Sequence, residues 1–309
     1  MSEVRNKYRL GLALGGGGAR GLAHVGVLKV LEREGIRPDL IVGTSMGAII
    51  GAMYSQYEDI GIVESNILNY LDQFLNKKQW IRLINSTSKK DKNTVFSELT
   101  NYVHRRLIGL KALTRISLET KETLFEPLKD ILKNNNIEDN KIPFAAVCLD
   151  LVNGKPVVIT NGPIIKAVYA SSAIEGVFPP LEYNGGLLAD GGPSNITPIE
   201  VAMNLGAKRV AAVDVHQDVS KVENFSNGLE IIMRADNIGL ERLTKMEIAM
   251  ADVVITPNVR KIHWSHFNRA RDCIRMGELA AQSMLPEIKV LLSKTIWFSK
   301  VINKLKSLK

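Results

Sequence analysis

The sequence predicts an α/β protein that opens on a parallel βαβα unit with helices covering both faces. Three observations carry this expectation. Short apolar runs rich in branched residues alternate with stretches of helical period. The early runs are apolar on both alternating faces, as strands buried on two sides are. Glycine turns follow the first two runs directly, and each turn leads into a helix.

Residues 8–14 (YRLGLAL) form the first expected strand and run into Gly15-Gly16-Gly17-Gly18-Ala19-Arg20-Gly21. Residues 22–34 carry apolar side chains at Leu22, Val25, Val27, Leu28, Val30 and Leu31, an amphipathic helix closed by Gly35. Pro38 breaks the chain, and Leu40-Ile41-Val42 reads as a second buried strand. Gly43-Thr44-Ser45-Met46-Gly47 follows at once, and a helix of small and long apolar residues begins at Ala48. Strand, Gly-x-Ser-x-Gly, helix is the context of a nucleophile elbow, a tight turn that lifts one hydroxyl above the sheet. Gly43 and Gly47 let the strand and helix backbones approach, and the new helix aims its positive end at Ser45. The ordinary alternative is a Ser/Gly turn with serine or threonine as a helix cap.

The middle of the chain, about 58–140, differs in character. It is helical in pattern, rich in Asn and Lys, and bears Lys77-Lys78-Gln79-Trp80, Lys89-Lys90 and Arg105-Arg106. It reads as a helical insertion on the α/β core. Strands return at 143–149 and 156–160, with a short helix at 164–171. A strand then ends in Asp190-Gly191-Gly192. A helix at 198–205, a strand at 209–215, a helix at 229–250, a strand at 252–255 and a helix at 270–292 complete the pattern.

The length of 309 residues allows about two domains of ~150 residues. No repeat or low-complexity linker divides it, so a single domain is expected over 1–309, with its core at about 8–285. With 45% hydrophobic and 23% charged residues the chain has ample material for a core. Two cysteines, Cys148 and Cys273, make no disulfide framework. The polar opening residues show no signal-peptide pattern, and the longest apolar window, 40–53, is too short to span a bilayer. A cytoplasmic protein is the expectation. The net charge of +8 favours an anionic partner. No helix-turn-helix, zinc-finger or aromatic-basic pattern points to nucleic acid, and none is expected as a partner.

Three glycine-bearing turns fall at expected strand ends, where sites in doubly wound sheets form. The first, 16–21, satisfies Gly-x-Gly-x-x-Gly and invites a dinucleotide reading. That fingerprint also wants an acidic residue at the end of the second strand, and here Gly43-Thr44-Ser45 stands there. No Gly-Lys-Ser/Thr follows to make a phosphate loop. What remains is a run of backbone N–H groups at a helix start, suited to an anion. Beside a nucleophilic serine that anion would be a tetrahedral oxyanion. The third turn, Asp190-Gly191-Gly192, offers a carboxylate, although Asp-Gly is also common in plain turns. A base is the part such a site still needs. Among five histidines, His24, His104, His263 and His266 lie on the first helix, in the middle segment and in a late polar loop. Only His216 follows an expected buried strand, so a triad through His216 and a Ser–Asp dyad both stand as readings.

These residues together resemble the patatin-like phospholipases, in particular bacterial members related to the catalytic domain of neuropathy target esterase. The resemblance rests on Gly16-Gly17-Gly18-Ala19-Arg20-Gly21, Gly43-Thr44-Ser45-Met46-Gly47 and Asp190-Gly191-Gly192. Ala170-Ser171-Ser172-Ala173 with Phe178-Pro179-Pro180 is similar to the segment before the family's Asp-Gly-Gly. The likeness covers about 10–205, with a weaker echo at 251–281. It implies a three-layer α/β/α patatin-like fold with a mostly parallel central sheet. It implies hydrolysis of lipid acyl esters by a Ser–Asp dyad with neither metal nor other cofactor. Carried over, Ser45 is the nucleophile, Asp190 the proton acceptor, and Gly16, Gly17 and Gly18 the oxyanion loop braced by Arg20. Glu175 departs from the family, whose segment usually has proline there.

The expected function is therefore a serine acyl hydrolase of phospholipid or lysophospholipid. The rivals are a membrane-associated or regulatory protein that kept the fold without turnover, and a dinucleotide-dependent oxidoreductase, which leaves the Ser45 elbow unexplained. The tail, 294–309 (KTIWFSKVINKLKSLK), reads as a basic amphipathic helix. It suits peripheral contact with an anionic inner membrane face. Packing of its apolar stripe on the core is the alternative.

Overall fold

The computed structural model describes residues 7–75, 115–216, 224–225 and 228–306. One sheet holds β1 (Gly11–Leu14), β2 (Leu40–Thr44), β3 (Phe144–Asp150), β4 (Lys155–Ile159), β5 (Leu181–Tyr183), β6 (Gly186–Asp190), β7 (Val210–Val213) and β8 (Val253–Ile255). The described helices are α1 (Ala23–Arg33), α2 (Met46–Tyr57), α3 (Ile60–Leu75), α4 (Lys121–Ile131), α5 (Ile164–Ser172), α6 (Ile199–Asn204), α7 (Gly228–Ile248) and α8 (Ala270–Lys306). None of them is long and apolar enough to cross a membrane.

In space the strands run β5-β6-β3-β2-β1-β7-β8, with β4 beside β3. The centre, β3-β2-β1-β7-β8, is parallel. The margin of β4, β5 and β6 is antiparallel. Side chains alternate between two cores, as strand geometry requires. Leu12, Leu14, Ile41, Phe144, Ala146, Ala211 and Val213 face a thick helical layer containing α1, α2, α3, α5 and α8. Ala13, Leu40, Val42, Ala145, Val147, Val210 and Ala212 face a second layer at α6, with Ile248 at the end of α7 packed against it. The expected three-layer α/β/α architecture is the observed one, and the sheet face toward α6 is lined mainly by alanine and valine.

The ends of the expected insertion belong to the core. Ile60, Val63, Ile67 and Leu71 of α3 and Leu128 and Ile131 of α4 are buried in the same cluster as the sheet. The basic clusters at 77–80, 89–90 and 105–106, and His104, lie outside the described residues. Two further differences from the sequence reading concern ends and turns. Helix α8 continues to Lys306 instead of stopping at 292, while the side chains of the tail 294–309 lie outside the described residues. Strand β5 was not expected. Asn184 and Gly185, at φ 48° and 79°, join it to β6 in a two-residue turn that places Tyr183 opposite Gly186.

Helices α1 and α8 cross closely through paired glycines. A Cβ on Gly26 would lie 1.9 Å from the Ile274 carbonyl oxygen, and one on Gly277 would lie 2.0 Å from that of Ala23. This contact fixes the helix that leaves the glycine loop.

Candidate active site

Strand β2 ends opposite Val147 with Thr44, and the chain then turns sharply into α2. Ser45 sits in the turn at φ 55° and ψ −123°, a conformation costly for a residue with a side chain. The two flanking glycines are required by contact. A Cβ at Gly43 would stand 2.4 Å from the Gly47 carbonyl oxygen, and one at Gly47 would stand 2.1 Å from that of Leu14. The expected elbow is thus present, and only 9% of Ser45 is exposed.

The partner carboxylate arrives by another route. Strand β4 occupies one edge of β3. The other edge is shared: β2 pairs with it up to Val147, and β6 takes over at Cys148, which faces Asp190. The two strands therefore meet end to end. Where β2 peels away at Ser45, β6 delivers Asp190 from the opposite direction. The convergence of turns expected at parallel strand ends is real, but Asp190 reaches it on an antiparallel strand.

The Ser45 side chain lies near the Asp190 carboxylate and favours its ionised form. The Gly192 N–H donates to Asp190 Oδ1 at 2.8 Å, and the Asp190 N–H donates to the Ala173 carbonyl at 3.0 Å. Burial pushes the Asp190 carboxyl up to about 7, against the Gly192 N–H and the Ser45 side chain, which favour its ionised form. The charge of Glu175 adds to the upward push. No histidine is among these partners. His216 donates its backbone N–H to Asp214 at 2.9 Å, at the end of β7. Among the described residues no group of His, Cys, Asp and Glu side chains is arranged to hold a metal ion.

The glycine loop 16–21 lies between β1 and α1, against the elbow. A Cβ on Gly16 would lie 3.3 Å from that of Ser45, and one on Gly21 would lie 2.6 Å from that of Met46. The Gly16 N–H donates to the Ile196 carbonyl at 2.8 Å, so it is not a donor toward the site. The N–H groups of Gly17 and Gly18 have no partner among the described residues. Gly18 takes φ 56° against the Trp264 carbonyl oxygen, which accepts the Ala19 N–H at 2.7 Å. Arg20 is buried and donates to the Val215 carbonyl at 3.0 Å and the Ile262 carbonyl at 3.4 Å. Its guanidinium ties the loop to two other segments, and desolvation lowers its pKa to about 10, opposed by the charge of Asp214. Gly191 is packed under β3, where a Cβ would lie 2.4 Å from the Val147 carbonyl oxygen.

Several residues of the site carried no assigned role in the sequence reading. Ser171 accepts the Ser45 N–H on Oγ at 3.1 Å and donates to the Val147 carbonyl at 2.6 Å. Ser172 donates to the Ser45 carbonyl at 3.2 Å. His24, fully buried, donates from Nε2 to the Gly15 carbonyl at 2.7 Å. Desolvation lowers its pKa to about 4 and keeps the ring neutral. A cavity of about 160 Å³ opens at Ser45 and is walled mainly by apolar groups of α2, α3 and α4 with Phe178, Trp264 and Phe267. Glu119 is its one charged side chain among the described residues.

A sequence model described as patatin-like phospholipase matches residues 12–203. A patatin-like phospholipase domain-containing protein of Caenorhabditis elegans is 34% identical over 217 residues, covering 70% of this chain and 14% of its own length. Patatin-like phospholipase domain-containing protein 7 of Rattus norvegicus is 33% identical, with 74% and 15% covered. An uncharacterised NTE family protein of Mycobacterium bovis is 32% identical, with 67% and 49% covered. The chain thus spans about one-seventh of the length of those animal relatives and about half of the mycobacterial one. Among solved structures, VipD from Legionella pneumophila aligns with a TM-score of 0.43 at 14% identity, over 96% of this chain and 71% of that one. On the extent of the family match and the elbow, glycine loop and Asp-Gly-Gly turn within it, the chain belongs to the patatin-like phospholipase family.

Proposed function

We propose that the chain is a serine acyl hydrolase acting on lipid esters, with phospholipid or lysophospholipid as substrate. The observation that supports this most is a strained elbow serine facing a buried carboxylate beside an apolar cavity. In the first half-reaction Asp190 takes the Ser45 hydroxyl proton while Oγ attacks the ester carbonyl. The N–H groups of Gly17 and Gly18 and the start of α2 face the developing oxyanion. Asp190 then gives its proton to the leaving alcohol, and the acyl group stays on Ser45. Water attacks this ester with Asp190 again as base, and collapse returns the proton to Ser45 and releases the fatty acid. A carboxyl held near 7 suits a group that must both take and give a proton at neutral pH. The apolar walls fit an acyl chain.

The decisive experiment is labelling with a fluorophosphonate probe together with hydrolysis of a lysophospholipid. The wild type should label and turn over, while Ser45→Ala should do neither and remain folded. Labelling that survives Ser45→Ala would place the nucleophile elsewhere. A peripheral location on an anionic membrane, through the basic tail, belongs to the same proposal. Truncation after Ser293 should abolish salt-sensitive binding to anionic vesicles yet spare hydrolysis of a short soluble ester. Unchanged vesicle binding would exclude the tail as the contact.

A further inference from the structure

We propose that Glu247, on the far side of the sheet from the cavity, is a positioning residue that holds the three catalytic turns in register through the segment 195–197. The proposal rests on the hydrolase reading above.

The segment 195–197 touches all three turns of the site. The Asn195 carbonyl accepts the Thr44 hydroxyl at 2.8 Å, next to the nucleophile. The Asn195 N–H donates to the Gly191 carbonyl at 2.9 Å, within the turn of the base. The Ile196 carbonyl accepts the Gly16 N–H at 2.8 Å, at the oxyanion loop. These are main-chain groups of Asn195 and Ile196, so their placement depends on what fixes this short stretch. Glu247 grips it on both sides. Its Oε1 accepts the Asn195 side-chain N–H at 3.1 Å, and its Oε2 is 3.4 Å from the Thr197 N–H.

Glu247 is only 4% exposed, on the inward face of α7 beside Thr244 at 2%. Glutamate is rarely buried this far unless hydrogen-bonded groups hold it. Ionisation near neutrality is opposed by that burial and by the charge of Glu200 on α6, and favoured by Thr197 and Asn195. A hydrophobic residue would fill the space without this cost. Neither Glu247 nor the segment 195–197 lines the cavity. Its effect should therefore fall on the geometry of reaction and not on substrate binding.

The test compares full-length Glu247→Ala, Glu247→Gln and Asn195→Ala on a soluble ester, with fluorophosphonate labelling alongside. Misplacement of reacting groups by about 1 Å costs up to about a hundredfold in rate. Glu247→Ala should lower kcat about tenfold to a hundredfold with KM unchanged, and labelling should slow in parallel. Glu247→Gln should recover most of the rate, because the Asn195 amide can rotate to present Oδ1 to the new donor. Asn195→Ala, which removes one of the two contacts, should give the same kind of loss, smaller in size. Hydrogen exchange over 190–197 needs no turnover and should quicken in Glu247→Ala. A folded Glu247→Ala with wild-type kcat, or Glu247→Gln as slow as Glu247→Ala, overturns the proposal. If Glu247→Ala does not fold, an unchanged kcat in Asn195→Ala does the same. If the wild type neither hydrolyses nor labels, the hydrolase reading fails. Unchanged exchange over 190–197 in Glu247→Ala then overturns the positioning role separately.

Discussion

The two halves of the proposed dyad are built in opposite ways. Ser45 is shaped mainly by its own neighbours, with β2 before it, α2 after it, and Gly43 and Gly47 packed against backbone within a few residues or on the adjacent strand; Ser171 and Ser172 add hydrogen bonds to its backbone. Asp190 is held by distant segments. Cys148 faces it across the sheet, Ala173 accepts its N–H, and Val147 lies over Gly191. The proposed nucleophile thus sits in a largely local structure and the proposed base in a tertiary one. A local structure fails by steric clash when one residue changes. A tertiary one fails by loss of chemistry or register while the fold survives.

The largest effect should come from breaking the local half. In Gly47→Ala the new Cβ must displace the Leu14 carbonyl oxygen 2.1 Å away, a backbone group of the central strand with no room to yield. Overpacking commonly costs about 1–3 kcal/mol and more where backbone must move, against a total stability of about 5–15 kcal/mol. The variant should express poorly or melt far below the wild type, with serine labelling lost. A Gly192→Ala variant, whose Cβ would be 3.2 Å from Asp190 Oδ1, should melt close to the wild type while losing turnover. Equal melting of Gly47→Ala and wild type would remove the distinction between the halves.

Next in size is a change of chemistry without loss of fold. Asp190→Asn should abolish hydrolysis, and His216→Ala should keep most of it. A His216→Ala enzyme as inactive as Ser45→Ala would replace the dyad by a triad. The carboxyl also sets a pH dependence. The Asp190 pKa is raised from 3.8 to about 7, mainly by burial, so between these values the folded state binds more protons than the unfolded state. Stability from this group is then fully present below pH ~4 and lost as pH rises through about 7. Glu247, raised from 4.5 to about 7, also mainly by burial, adds the same sign over pH ~4.5–7. Asp190→Asn should therefore melt above the wild type at pH 8, with the gap closing as pH falls toward 4. Calorimetry at the two ends of this range checks it, and a gap that widens at low pH would contradict the burial of the carboxyl.

The same contrast explains what the sequence made legible. The elbow could be read from residues 40–53 because strand, turn and helix are contiguous and glycine spacing encodes the close approach. Alternation of Leu12, Ala13 and Leu14 between two cores follows from period two. The choice of a Ser45–Asp190 dyad over a His216 triad came from likeness, because the end-to-end meeting of β2 and β6 depends on register between strands about 150 residues apart. Asn184-Gly185 was a readable hairpin signal that the strand assignments passed over, and with it β5 and the antiparallel margin. Trp264, His24 and Glu247 carried no readable signal, since a lone Trp, His or Glu has no pattern until packing gives it neighbours. The Gly16 N–H, expected at the oxyanion, goes instead to Ile196, a contact no local pattern encodes.

The smallest expected effect tests how far the tertiary half can be tuned without being broken. Glu175 stands where the family usually has proline, in the turn where the Val177 and Phe178 N–H groups both donate to the Ile174 carbonyl. It is exposed, yet its negative charge opposes ionisation of Asp190. Removing that charge in Glu175→Gln favours the Asp190 carboxylate, so its pKa falls and the rising limb of kcat against pH moves to lower pH. The shift should be a fraction of a pH unit, because an exposed charge is screened by water and salt. It should shrink further as salt is raised from about 0.01 M to 1 M, where the Debye length falls from about 30 Å to 3 Å. The plateau rate at high pH should stay at the wild-type value, since Asp190 is then ionised in both proteins. A limb that moves upward, or a plateau that falls with the limb unmoved, would mean that Glu175 acts through the shape of the turn and not through its charge.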